Sequence, residues 1–150
     1  MFELNDTETA ARRLGLQLFV VRASNEREID AAFATLVQQR VMALLVFADQ
    51  YFFRRRGQIA LLATRHAIAT SFSGRDPVVA GGLMSYGANL SKAHRQAGIY
   101  IARIHKGEKP ADLPVIQPTR FDLVLNLNTA KTLGIEIPLK ILARADEVIE

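Results

Sequence analysis

The sequence predicts an α/β fold, a parallel sheet with helices on both faces. Two apolar runs, Val41–Phe47 and Ala67–Phe72, each follow a stretch whose apolar residues have helical spacing. The steps recur at roughly 25-residue spacing, and parallel neighbouring strands need a crossover that is usually a helix. The first run shows no alternation, which is typical of a strand covered on both faces.

The sequence of the first quarter of the chain predicts a helix, then a strand, then a second helix. Asn5 followed by Glu8 is a capping-box variant that predicts a short helix ending at Gly15, and Leu16–Val21 predicts a strand. Asn25 with Glu28 starts a second helix, whose apolar residues recur at i, i+4, i+7 and i+8 and indicate one buried face. That face consists of Ile29, Phe33, Leu36 and Val37.

The middle of the chain predicts a third helix from near Gln50 to about His66. Its predicted buried residues are Tyr51, Ile59, Leu62 and Ala63. After a Gly-Arg-Asp-Pro turn at 74–77, the sequence predicts a short strand at Leu83–Tyr86 and a long helix at about Asn89–Lys106 that ends at Gly107.

The sequence of the last third of the chain predicts that the backbone returns to the sheet. A connector marked by three prolines leads to an alternating strand that begins at Phe121. Thr129–Leu133 predicts one or two helical turns closed by Gly134, and Leu139–Ile149 favours no single element. We therefore expect an α/β core at about 5–87, a long helix at 88–107 and a return strand and carboxy-terminal segment at 108–150.

Composition excludes several classes of protein. The chain has 150 residues, 49% of them hydrophobic, a net charge of +4 and no cysteine. A chain of this length can bury a core without disulfides, and the lack of cysteine excludes thiolate catalysis and cysteine-ligated metals. No apolar run approaches the roughly 18 residues that span a bilayer, so the chain is not expected to be membrane-embedded. Its first residues lack the pattern of a signal peptide.

Motifs for nucleic-acid binding and catalysis are weak. Arg54–Arg56 is the densest basic cluster, but three adjacent helical residues spread around the circumference, so a solvated face is favoured over a nucleic-acid site. His66, His94 and His105 lack metal-ligand spacing. The sequence contains no nucleophile elbow, dinucleotide fingerprint or Walker loop. We expect no catalytic residue, no metal and no cofactor.

Several segments, taken in their order and spacing, resemble one known family. The second half carries most of the resemblance, in Ala80–Gly87, Lys106–Val115, Gln117–Thr119, Phe121–Val124 with Asn126, and Leu142–Glu150. The first half adds Leu16–Val21, Ala43–Asp49 and Tyr51–Phe53. These segments are similar to the carboxy-terminal lobe of ABC-transporter substrate-binding proteins that include the tryptophan/tyrosine-type binding components.

The resemblance implies a type I periplasmic-binding fold, in which two α/β lobes close on a small ligand without catalysis. It implies a periplasmic or extracytoplasmic location and an ABC permease as a partner. Compared with that pattern, this sequence lacks the amino-terminal lobe, the signal peptide and the strand expected before the Asn5 helix. The resemblance therefore implies that 1–150 is a single incomplete α/β lobe in which 88–107 is the crossover helix. If it is the full product, we expect a cytoplasmic protein with an open sheet edge or vacant slot.

Ligands of open α/β sheets bind beyond the carboxyl ends of the strands. Asp49 and Gln50, with Tyr51 beside them, follow one predicted strand, Ser73 follows the next, and Ser85 and Tyr86 precede the long helix; these six residues are the candidate site. The resemblance implies that Asp49 accepts a hydrogen bond from an amine, Ser85 contacts a carboxylate and Tyr86 stacks on an apolar ligand. The alternative for Asp49 is that it only caps the third helix.

An exposed helix face predicts self-association. Apolar residues of the long helix spread over more than one face and would be left uncovered if the second lobe is absent. We expect a homo-oligomer through Leu90, Ala97, Ile101 and Ile104.

Two functions stay open from the sequence: a small-molecule-binding component of an importer, and an association module that has lost ligand binding.

Overall fold

Five strands form one sheet in the order in which they occur along the chain. The computed structural model describes residues 2–150. The strands are β1 (Ala43–Leu45), β2 (Ala69–Phe72), β3 (Met84–Ala88), β4 (Phe121–Asn126) and β5 (Glu147–Ile149). Neighbouring strands are parallel except β3 and β4, which pair antiparallel. The predicted α/β class is confirmed, and the single reversal arises because the chain leaves β3 and re-enters the sheet at the same edge.

Helices connect the strands, and several of them begin at side-chain caps. They are α1 (Phe2–Arg13), α2 (Glu26–Gln38), α3 (Gln50–Arg54), α4 (Arg56–Arg65), α5 (Arg75–Val79), α6 (Leu90–His105), α7 (Leu127–Thr132) and α8 (Leu139–Leu142). Asn25, Asn89 and Asn126 each accept a hydrogen bond from the backbone N–H three residues later. Within residues 2–150, no helix combines the length and apolarity needed to cross a membrane.

The amino-terminal quarter departs from the sequence prediction in two ways. Helix α1 already includes Asn5, whose backbone oxygen accepts a hydrogen bond from the Thr9 hydroxyl, so Asn5 is not the cap. Leu16–Val21 forms no strand, because no chain segment in the described structure pairs with it. Gly15 has a φ of +68°, as expected for the residue that ends the helix.

Strand β1 and the helix after it also differ from expectation. The predicted run Val41–Phe47 contains a strand of only three residues, and Leu45 is 49% exposed, so it is not covered on both faces. Leu45 is exposed because an open groove lies beside β1. The predicted third helix is divided at Arg55 into α3 and α4.

The rest of the chain follows the predicted order with shifted boundaries. The Gly-Arg-Asp-Pro turn continues into α5, and the predicted long helix is confirmed as α6 with Asn89 as its cap. The prediction of a helical turn near Thr129 is confirmed as α7, which begins at Leu127. The segment that favoured no single element folds as α8 followed by β5.

The core lies between the sheet and helices α2 and α4. Its cluster of buried residues comprises Ile29, Phe33, Leu36, Val46, Ile59, Ala63, Ile68 and Phe72. Of the predicted α2 face, three residues are buried and Val37 is 43% exposed. A second buried group links α5, α7 and β4: Asn126 donates from Nδ2 to the Val78 carbonyl, and the Thr129 hydroxyl donates to the Gly81 carbonyl.

Candidate functional site

The carboxyl ends of β1, β2 and β3 meet the amino ends of β4 and β5 along one side of the sheet. This follows from the pairing, because β4 runs antiparallel to β3 and β5 runs parallel to β4. We call this side the carboxyl edge. The described residues nearest to it in the chain are Asp49, Ser73, Arg75, Tyr86, Asn89, Arg120–Asp122, Asp146 and Glu147.

Asp49 at the carboxyl edge caps α3. Its Oδ1 accepts hydrogen bonds from the backbone N–H of Tyr51 at 2.7 Å and of Phe52 at 3.3 Å. Asp49 and Gln50 are exposed, whereas the Tyr51 hydroxyl is buried without a hydrogen-bond partner. The Tyr51 ring packs against the core cluster and lies 5.9 Å below the Arg55 guanidinium. The structure therefore brings Asp49 and Gln50 to the surface of the edge and directs Tyr51 inward.

Ser73 and Gly87 bring the ends of β2 and β3 together. Ser73 is exposed in the turn that follows β2. A Cβ atom built on Gly87 would lie 1.9 Å from the Ser73 backbone oxygen, so only glycine permits this approach. The two strand ends thus form one continuous surface.

Ser85 and Tyr86 point to opposite faces of β3, as successive strand residues do. Ser85 is only 1% exposed and pairs in register with Val124, so the structure places it inside the fold and not on the exposed surface of the carboxyl edge. Tyr86 is 59% exposed and its ring stacks on Phe121, with centroids 5.7 Å apart and planes inclined by 24°. The two rings form an exposed aromatic surface at the carboxyl edge.

A polar network that the sequence did not indicate lies beside this aromatic pair. Asn89 donates from Nδ2 to Asp122, while Arg120 forms ion pairs with Asp122 at 3.3 Å and Asp146 at 2.6 Å. The Asp146 carboxylate also accepts from the Leu123 N–H at 2.9 Å. That backbone hydrogen bond, together with Arg120, lowers the pKa of Asp146 below its ordinary value.

A second ion pair, between Arg75 and Glu147, also lies at the carboxyl edge. Arg75 donates from Nε and Nη2 to the two oxygens of Glu147, each at 2.6 Å. These hydrogen bonds and the charge of Glu147 raise the pKa of Arg75, and the reverse effect lowers the pKa of Glu147. The partners are far apart in sequence, and no local motif marks such a pair. The only sequence signal is the position of Arg75 in the turn at 74–77, three residues after the predicted strand Ala67–Phe72.

The chemistry available at the carboxyl edge is that of binding. Exposed aromatic rings offer a flat apolar surface, while the guanidinium and carboxylate groups offer directional hydrogen bonds to a zwitterion. Among residues 2–150, no three His, Asp or Glu side chains converge to hold a metal ion. A groove of about 790 Å³ lies elsewhere, between α1, α2 and β1, and none of the six predicted site residues lines it.

Comparison with known proteins gives a family and a fold. Residues 2–149 match the family described as ABC transporter substrate binding protein. Comparison with curated protein sequences gives no match.

Three solved structures share the fold. A conserved domain protein from Vibrio cholerae is 23% identical, with a TM-score of 0.87 over 97% of this chain. The ligand-free, open form of a substrate binding protein with adhesive properties from Clostridium difficile is 22% identical, with a TM-score of 0.71 over 99% of this chain. An ABC domain from Streptococcus pneumonia in complex with L-Trp is 25% identical, with a TM-score of 0.89 over 99% of this chain. The chain spans only 49%, 49% and 50% of these proteins.

Proposed function

The chain belongs to the ABC transporter substrate binding protein family, and on this premise we propose that its carboxyl edge binds a small molecule such as an amino acid, without catalysis. The observation that carries the proposal is the exposed Tyr86–Phe121 ring pair, which lies at the same edge of the sheet as the Arg120–Asp146 ion pair. An apolar surface at an edge that also carries charged side chains of both signs suits a molecule with an apolar body and a zwitterionic end. A neighbouring structure was solved with L-Trp, a ligand of that chemistry.

The residues of the carboxyl edge can contact different parts of the ligand. Tyr86 supplies the stacking surface, and Asp49 offers a carboxylate to an amine, because its cap uses only Oδ1. Gln50 and Ser73 are exposed hydrogen-bonding groups on the same side. Tyr51 supports α3 through the core, and Ser85 supports the packing of β3.

The proposed role in transport involves a second lobe. The chain spans about half of the three neighbouring structures, which is consistent with 1–150 being one α/β lobe. A ligand held between two lobes stabilises their closed arrangement, since it makes contacts there that the open arrangement lacks. Members of the family work at periplasmic or extracytoplasmic membrane surfaces. We place this chain there too, with an ABC permease as the partner that recognises the closed form.

A thermal-shift assay tests the proposed binding. The twenty common amino acids are screened at millimolar concentration, and at least one is expected to raise the melting temperature in a concentration-dependent way. Tyr86→Ala should abolish the shift, because it removes the stacking surface. Leu61→Ala, at a 70% exposed residue of α4, is the control and should leave the shift unchanged. No shift with any amino acid, or an equal shift for Tyr86→Ala, contradicts the proposal.

The second candidate function is association through α6. None of its residues is buried, and its exposed apolar residues include Leu90, Ala97, Ile101 and Ile104. These four positions are separated by 7, 4 and 3 residues and therefore lie along one side of the helix. Such an uncovered side favours a homo-oligomer. In this alternative the lobe has lost its ligand and keeps only the association surface.

A further inference from the structure

The charged side chains of the carboxyl edge narrow the class of ligand that this surface can hold. We propose that it binds arylalkylamines, molecules with a flat aromatic ring and a positively charged amine on a short chain, and that a carboxylate on the ligand adds nothing to binding at this surface. The inference rests on the proposed function and deepens it, because it names the ligand group that the edge recognises.

The first support is that both arginines of the carboxyl edge are already paired. Arg75 donates to both carboxylate oxygens of Glu147. Arg120 forms ion pairs with Asp122 and Asp146 at the same time. A ligand carboxylate that approached either guanidinium would meet these resident carboxylates at short range, and like charges repel. Either arginine can therefore receive a ligand carboxylate only if an existing ion pair is disturbed.

The second support is the balance of charge at the edge. The whole chain carries a net charge of +4, whereas the residues that define the carboxyl edge comprise more carboxylates than guanidiniums. The carboxylates are those of Asp49, Asp122, Asp146 and Glu147, and the guanidiniums are those of Arg75 and Arg120. The first turns of the helices that follow β1, β2 and β3 add only Asp76 and Lys92, one charge of each sign. The local field therefore favours a cationic ligand over an anionic one.

The third support is the second carboxylate oxygen of Asp49. Its Oδ1 caps α3 by accepting from the Tyr51 and Phe52 N–H groups, and neither hydrogen bond uses Oδ2. Asp49 is exposed, and of the four edge carboxylates it is the one without an ion pair among residues 2–150. A primary ammonium group carries N–H donors only, so it suits this free acceptor.

The fourth support is the position of the aromatic surface relative to Asp49. Ser73 and Tyr86 directly follow Phe72 and Ser85, which pair in register on β2 and β3, so the two residues lie side by side. Asp49 follows β1, which pairs with β2 on its other side. The paths of β1 and β3 are therefore two strand spacings apart, roughly 10 Å. A ring that rests on Tyr86 needs an amine on a short chain to contact Asp49.

The exposed aromatic face favours the same sign of charge. Tyr86 is 59% exposed, and its ring stacks on Phe121. The face of an aromatic ring carries the negative part of its quadrupole, so it attracts an ammonium group within about 6 Å and repels a carboxylate. Tyr86 and Asp49 therefore select the same class of ligand through two different interactions.

Three probes that share an indole ring test the inference on the full chain. Tryptamine carries only the amine, L-tryptophan carries the amine and a carboxylate, and indole-3-propionate carries only the carboxylate. Because the chain contains no tryptophan, the fluorescence anisotropy of the indole reports binding without a label. We expect tryptamine to bind at least as tightly as L-tryptophan. Indole-3-propionate should bind at least about tenfold more weakly than tryptamine, because it lacks the charged donor.

Asp49→Asn separates recognition of the amine from a structural role. Asparagine caps a helix as well as aspartate does, so the variant should keep α3 and lose only the charge. It should weaken tryptamine binding about tenfold and should not weaken the binding of indole-3-propionate. Asp112→Asn, at an exposed residue after α6, removes the same charge and is the matched control, which should change neither affinity.

The failure of the inference is distinguishable from the failure of the proposed function. If L-tryptophan binds and tryptamine does not, or if tryptamine and indole-3-propionate bind equally, the inference is overturned while binding of an amino acid stands. Tryptamine binding that is unchanged in Asp49→Asn, or equal weakening of both probes, overturns it as well. Binding of none of the three probes also overturns the inference, and the screen of the twenty amino acids then decides the proposed function separately.

Discussion

Gly87 lies directly against the backbone of Ser73, and a Cβ atom at position 87 would stand 1.9 Å from the Ser73 oxygen. This approach joins the end of β3 to the turn after β2. It also sets the position of Tyr86, one residue earlier, relative to the rest of the carboxyl edge.

Gly87→Ala should therefore destabilise the protein and disturb the site together. The new methyl group meets backbone atoms that cannot rotate away, so we expect a loss of at least about 1–3 kcal/mol in the free energy of unfolding. Urea unfolding measures it. Gly98→Ala is the matched control: its Cβ would meet nothing within 4 Å, and alanine inside α6 should stabilise by about 0.5–1 kcal/mol. Equal effects of the two substitutions would show that the Gly87 contact is not close.

Leu36→Ala should be among the most costly substitutions in the core. Leu36 is 1% exposed and belongs to the main cluster, so its truncation leaves a cavity and should cost about 2–5 kcal/mol. Leu61→Ala, at a residue that is 70% exposed on α4, should change the free energy of unfolding by less than about 0.5 kcal/mol. Chemical denaturation of both variants measures the difference, and a mild effect at Leu36 contradicts the described core.

Asp146 should make the protein sensitive to acid. The Leu123 N–H and Arg120 lower its pKa in the folded state, so its contribution to stability is complete above its ordinary pKa and is lost as pH falls through the lowered value. Between about pH 4 and about pH 2 the wild type should lose more stability than Asp146→Asn does. Urea unfolding across that range measures both. Identical pH profiles would show that Asp146 has the same pKa in both states.

Charge placed on α6 tests the association surface. Leu90 and Ile101 are 60% and 67% exposed, so Leu90→Asp with Ile101→Asp should leave the fold intact by circular dichroism. If α6 is the contact between copies, sedimentation velocity should show an oligomer for the wild type and a monomer for the double variant. Arg95→Asp with Lys106→Asp, at exposed polar residues of the same region, is the control for charge alone. A wild type that sediments as a monomer contradicts the proposed homo-oligomer.

Local chemistry explains which elements could be predicted from the sequence. Asn25 and Glu28 mark the start of α2 because the hydrogen bonds between them join residues three positions apart. The cap of α6 at Asn89 is equally local. By contrast, a strand needs a partner, and Leu16–Val21 has strand composition but no strand paired with it in the described structure. Apolar composition therefore predicted a strand that no pairing supports.

The candidate site was predictable only in its location. The ends of predicted strands correctly indicated the side of the sheet where Asp49, Ser73 and Tyr86 lie. The Arg75–Glu147 pair joins residues 72 positions apart, and the Asn89–Asp122 pair joins residues 33 apart, so neither appears in any local pattern. The burial of Ser85 depends on strand register, which the sequence alone did not determine.

The pairing of Ala88 with Phe121 has a consequence for how the fold can be altered. These two residues sit side by side on adjacent antiparallel strands, yet the entire excursion of 89–120, including α6, lies between them in the chain. A tight hairpin turn would bridge the same gap, and no residue of α6 is buried in the lobe. Residues 90–119 are thus a detachable module, since Asn89 and Arg120 at its ends pair with Asp122 and Asp146 of the lobe: another helix, or a reporter domain whose ends lie close together, should replace this stretch while the sheet keeps its order.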